Sequence, residues 1–158
     1  MAIHYTLQIE ALMTRGRDED RQGGHSKRDI EMVRVTDRDF SVEEIIGGMN
    51  NPKIGAIITY LGIVRSFSEG REVAGVEFDD DEVAIDKVRE LADKTLEDFD
   101  IDDVAIVHRV GQLKVGDKLL LVAVSASHRQ PAFAACMSII DGVKVIHSGW
   151  GRECYKVS

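Results

Sequence analysis

The chain has little of what several function classes require. Only two cysteines are present, Cys136 and Cys154, and they show none of the paired spacing of a zinc site or a disulfide framework, which fits a reducing compartment. Cys136 falls on an apolar helical face and reads as plain core. No run approaches the ~20 apolar residues of a membrane-spanning helix, and the N-terminus lacks the apolar stretch of a secretory signal, so a cytoplasmic protein is expected. Positive charge is in deficit: 20 Lys and Arg stand against 28 Asp and Glu, a net charge of -8. The field of the whole molecule therefore repels nucleic acid and anionic membrane, and any phosphate it binds must be held by a local cluster. No GxGxxG or Walker-type loop follows any predicted strand, which leaves nucleotide folds of that kind without support.

What is present is the composition of an ordinary globular protein, with 44% hydrophobic and 30% charged residues. Its 17.5 kDa suffice for one domain with a real core. Residues 14–29 carry almost no apolar side chains and cannot offset the entropy of being ordered. Residues 1–29 are accordingly expected to be a flexible or non-native extension, with Met32 a candidate start, and the folded domain to span 30–158. Acids interrupt the arginines of that extension, which argues against a basic tail that grips a partner.

A short strand is predicted over 31–35. Ser41, followed three residues later by Glu44, forms a capping box that opens a short helix stopping at Gly47-Gly48. Residues 54–64 are almost continuously apolar and β-branched, the pattern of a strand buried on both faces, with Gly55 and Gly62 at points of close approach or bulging. Arg65 stands at its end. Residues 66–70 are polar and read as a loop, and 72–78 alternate as a second strand. Asp79, Asp80, Asp81 and Glu82 have the residue types of a metal cluster. They sit, however, where a helix starts, and negative charge there meets the positive end of the helix dipole. That helix runs to about Asp98 and buries Val88, Leu91, Ala92, Thr95, Leu96 and Phe99.

Residues 104–110 and 118–125 read as two further strands joined by a turn around Val115-Gly116-Asp117, the second apolar enough to be central. His108, among valines, reads as a satisfied structural histidine. A last helix follows Ser127 and runs through about Val143, with Phe133, Cys136, Ile139 and Ile140 at helical spacing and Pro131 in the first turn, which has no use for its missing amide hydrogen. The order β-α-β-β-α-β-β-α defines an α+β domain with a mixed, mainly antiparallel sheet and helices packed on it.

The chemistry concentrates in Ser125-Ala126-Ser127-His128-Arg129, with Lys144 and Trp150-Gly151-Arg152-Glu153 downstream. His128 and Arg129 fall in the first turn of the last helix, where unpaired amides and the dipole favour an anion. A guanidinium fork and an imidazole make this a phosphate cradle, and Arg65 can supply a second fork; a surface pair capping the helix is the plainer alternative. Lys144, expected just after the helix, is the candidate reactive amine, because amines near other cations or in partly dry surroundings lose proton affinity. A lysine favoured by the helix C-terminus explains it equally well on local grounds. Trp150 is either core or one wall for a ring-shaped ligand.

Four ordered blocks resemble one family, the large catalytic subunit of molybdopterin synthase. They are Gly55-Ala56-Ile57-Ile58-Thr59-Tyr60-Leu61-Gly62-Ile63-Val64-Arg65; Val104-Ala105-Ile106-Val107-His108-Arg109-Val110-Gly111-Gln112-Leu113; Val122-Ala123-Val124-Ser125-Ala126-Ser127-His128-Arg129; and Asp141-Gly142-Val143-Lys144 with Trp150-Gly151-Arg152-Glu153. The resemblance implies an α/β-hammerhead-like domain and a sulfurtransferase that converts cyclic pyranopterin monophosphate into dithiolene-bearing molybdopterin. It implies that sulfur arrives as a thiocarboxylate on the C-terminal Gly-Gly tail of a small ubiquitin-like partner, in a heterotetramer built on a homodimer of large subunits. No metal or redox cofactor is implied for the step. By the same resemblance Arg65, His128 and Arg129 hold the substrate phosphate, the His-Arg pair coming from the neighbouring protomer, and Lys144 lies beside the incoming tail.

The chain departs from the family pattern at Gly151, where a second lysine is usual, and at Ser148, where a proline is usual; the family's longer C-terminal tail is cut short at Ser158. Arg152, as a second catalytic cation, and His147, as an auxiliary group, are the residues placed to cover for Gly151. The alternative is a paralogue of impaired activity that serves as a binding or scaffold module for the small sulfur carrier or a phosphorylated pterin.

Overall fold

The computed structural model describes residues 33–157; the expectations for residues 1–32 lie outside them. Four strands make the central sheet in the order β1-β5-β7-β2: β1 (Val33–Thr36), β5 (Asp103–Arg109), β7 (Lys118–Ala126) and β2 (Ala56–Ile63). β1 is parallel to β5, while β5–β7 and β7–β2 are antiparallel. This is the mixed, mainly antiparallel sheet the sequence predicts.

Side chains of a strand alternate between faces, and here both faces of the middle strands are covered. Leu120, Val122, Val124 and Ala126 of β7, with Val104 and Ile106 of β5, enter the main core together with helices α2 (Glu82–Asp98) and α3 (Arg129–Trp150). Leu121 and Val107 meet Phe40, and Ala123 and Ala105 meet Met49, beneath the short helix α1 (Val42–Met49). Capping starts two of the helices as predicted. The Ser41 hydroxyl accepts from the Glu44 amide, and the Asp81 carboxylate accepts from the amides of Val83 and Ala84. Cys136 is buried in the main core, where burial raises its thiol pKa.

Several expectations are corrected. Residues 54–64 are not buried on both faces: β2 is an edge strand, and Leu61 and Ile63 are 38% and 46% exposed. Its apolar run carries one core face and one open face. Gly55 does mark a close approach, because a Cβ there would run into the Ser127 carbonyl, and the register shifts between Gly62 and Ile63.

Residues 66–70 contain a hairpin instead of an open loop. β3 (Phe67–Ser68) pairs with β4 (Arg71–Phe78), turning through Glu69 and Gly70 at φ 49° and 75°, the left-handed pair that a two-residue turn requires. The chain between β5 and β7 likewise does more than turn. β6 (Gly111–Lys114) crosses to pair with β4, and β8 (Gly151–Tyr155) pairs with β4 as well. The last helix extends to Trp150, seven residues past the expected end; within it Gly142 sits where a Cβ would collide with the Leu91 side chain of α2. No helix among the described residues is long and apolar enough to cross a membrane.

Candidate functional site

Strand pairing fixes where the site residues stand. At one end of the β2–β7 ladder Ala56 lies opposite Ala126, and at the other Ile63 lies opposite Lys118. Arg65, just past β2, shares the second end: the flanking Val64 amide donates to the Asp117 carbonyl. His128 and Arg129, just past β7, share the first. Eight residues of strand at ~3.3 Å each separate the two ends by roughly 26 Å. One chain therefore cannot bring Arg65 and the His128-Arg129 pair onto the same ligand.

The last helix crosses between those ends. Lys144 lies 15 residues after Arg129, about 22 Å along an α-helix. His147, one turn further, touches His108, whose strand partner is Leu120 near the start of β7. Lys144 thus belongs to the Arg65 end. It lies within α3 rather than after it, and is exposed.

At the far end His128 is the N-cap residue of α3, with no side-chain cap hydrogen bond. The pair is exposed, and the amides of the first turn keep their open ends, as an anion site needs. At the near end the Arg65 guanidinium donates to the Ser68 hydroxyl at 3.1 Å. Glu153 of β8 accepts from the Tyr155 hydroxyl at 2.6 Å. That hydrogen bond, then the Ser68 hydroxyl and the Arg65 charge, hold its carboxyl below the usual value against the smaller opposing effect of burial. The Arg71 guanidinium lies 3.9 Å over the Tyr155 ring centroid.

The remaining sequence candidates are engaged elsewhere. Arg152 forms ion pairs with Glu77 at 2.8 Å and Asp79 at 3.4 Å. His147 is half-buried, and burial lowers its pKa to about 4, so it is neutral at pH 7. Trp150 is 6% exposed and its indole N–H donates to the Asp79 carbonyl at 2.7 Å; the ring packs in the core. Position 151 has no room for a side chain, because a Cβ on Gly151 would enter the ring of Phe78. Among the described residues no group of three or more His, Cys, Asp or Glu could hold a metal.

Sequence reasoning missed Ser68, Tyr155 and Phe78. Only the pairing of β3 and β8 with β4 brings them to the site, and two-residue β3 gives no pattern to read.

A helix-covered mixed sheet, with Arg65 and Lys144 toward one end of the β2–β7 ladder and His128 and Arg129 toward the other, defines an α+β protein. The chain belongs to the MoaE protein family, whose pattern matches residues 35–146. It is 40% identical to the molybdopterin synthase catalytic subunit of Pyrococcus abyssi over 116 residues, 73% of this chain and 78% of that one. Among solved structures it is similar to the molybdopterin synthase of Staphylococcus aureus, with a TM-score of 0.69 and 25% identity, covering 79% of this chain and 92% of that one. The complex of subunits 1 and 2 of the molybdopterin-converting factor from Helicobacter pylori shares the fold, with a TM-score of 0.59 at 16% identity over 78% of this chain and 89% of that one.

Proposed function

We propose that this chain is a cytoplasmic molybdopterin synthase catalytic subunit that moves sulfur from the thiocarboxylate tail of a small ubiquitin-like partner onto cyclic pyranopterin monophosphate. The observation that carries the reading is the match of the family over residues 35–146 together with cationic groups at both ends of one sheet. Two copies facing each other complete each site, Arg65 and Lys144 of one chain standing against His128 and Arg129 of the partner subunit. The arginines and the helix N-terminus neutralise the cyclic phosphate, and Lys144 stabilises the carboxylate left on the tail when sulfur departs. Such preorganised charge acts most strongly where the closing partner excludes water.

The test is reconstitution with a thiocarboxylated small partner and the cyclic pterin phosphate. Slow but measurable dithiolene product is expected; its complete absence despite partner binding overturns the reading. Lys144→Ala should lower kcat by roughly 10² to 10⁴, while Arg65→Ala and Arg129→Ala should chiefly raise KM. Equal, mild effects from all three would mean that the site has been misplaced.

A scaffold role is favoured by one observation. Position 151 offers no cation, Arg152 is held by two carboxylates and His147 is neutral. Product formed only by a Phe78→Ala/Gly151→Lys double variant would establish that role.

A further inference from the structure

Where the last turn of α3 meets β4, β5 and β8, two imidazoles face each other inside an aromatic shell. His108 is 1% exposed, and its Nε2 lies 2.7 Å from the Nε2 of His147. Its Nδ1 is buried without a hydrogen-bond partner. The Phe78 ring stands edge-on to His108 at 4.7 Å between centroids and tilted against His147 at 4.9 Å, and the Trp150 ring lies 4.3 Å from His108. The amide of Gly151 donates to the His147 carbonyl and ends the helix there.

Two ring nitrogens at that distance share one proton, one donating and the other accepting. A doubly protonated pair would set N–H against N–H inside a largely buried aromatic shell, where charge is costly. The charged groups on the surrounding elements do not offset this. Glu77 of β4 and Asp79 beyond it are taken by Arg152 of β8. Arg109 of β5 directs its guanidinium to the Lys118 carbonyl, and Lys144 of α3 is exposed. Burial is the leading cause that lowers both pKa values, to about 3 for His108 and about 4 for His147.

We propose that the His108–His147 pair is a proton-operated latch that holds the last turns of α3, and with them Lys144, in place at neutral pH and releases them in acid. The link to Lys144 rests on the synthase reading; the latch itself does not.

Amide hydrogen exchange of Gly151 in the full chain, corrected for intrinsic rate, reads the latch directly. Between pH 7 and pH 5 each imidazole freed on opening, with its ordinary pKa near 6.5, should reduce protection by roughly 25-fold, several hundredfold for both. His147→Phe keeps a ring of similar size but removes one titrating group, so its loss should shrink to about 25-fold. Imidazole nitrogen NMR of the unmodified protein supplies a check independent of any variant, and both rings should remain neutral down to pH 5. Unchanged protection at Gly151, an equal pH response in His147→Phe, or either ring titrating near 6.5 in the folded protein overturns the latch. Failure to form product with these responses intact overturns the synthase reading instead.

Discussion

Gly151 is the residue at which family likeness and structure bear on each other most directly. Its backbone is extended, with φ at -102°, so nothing in the main chain demands glycine; the Phe78 ring does. Gly151→Ala should cost about 1–3 kcal/mol through overpacking. Phe78→Ala leaves a cavity on its own, and adding it to Gly151→Ala should recover part of the loss, which a double-mutant cycle in denaturant detects as coupling. Additive costs would show that the ring yields freely. Arg65, His128, Arg129 and Lys144 could be singled out as candidates because each lies in a compact run of sequence. Their separation was not legible, because it follows from the antiparallel register of β2 on β7. The expected role of Arg152 rested on its closeness in sequence to Gly151, whereas strand pairing gives its guanidinium to Glu77.

Among the elements, those with strong periodicity or capping chemistry were the readable ones. Helix α2 spans Glu82–Asp98 and buries Val88, Ala92 and Thr95 as its spacing demands. Asp81 accepts from two of its first amides, so Asp81→Ala should lower stability by about 1 kcal/mol. A chemical denaturation midpoint that does not move would remove the cap from the account. Elements without a local signature escaped. β3 and β6 are held by pairing with a distant strand, and Glu69 adopts a left-handed φ that its residue type does not announce. The last two turns of α3 escaped because the apolar spacing was followed only through Val143, although Trp150 continues its buried face.

At the scale of the whole molecule, the two ends of the sheet set the most informative experiment. If each site joins Arg65 of one copy to Arg129 of the partner subunit, neither Arg65→Ala nor Arg129→Ala protein should turn over substrate at low concentration. An equal mixture allowed to exchange subunits should recover about a quarter of normal activity, since half the dimers are mixed and each keeps one intact site. No recovery would overturn the shared site. Stability should also depend on pH through the buried imidazoles. Both have folded pKa values below the ordinary 6.5, so the unfolded chain binds more protons in acid. The contribution is complete above pH 6.5 and is lost as pH falls toward about 4 and then about 3, at up to about 1.4 kcal/mol per pH unit for each ring. Thermal melting between pH 7 and pH 4 should fall more steeply for this protein than for its His147→Phe variant.

The span of the β2–β7 ladder has one further consequence. On the proposed pairing of copies, a solitary chain would hold two incomplete halves, so dilution alone should silence it while every helix and strand stays folded. Specific activity then becomes a gauge of association, rising with chain concentration until the copies are paired.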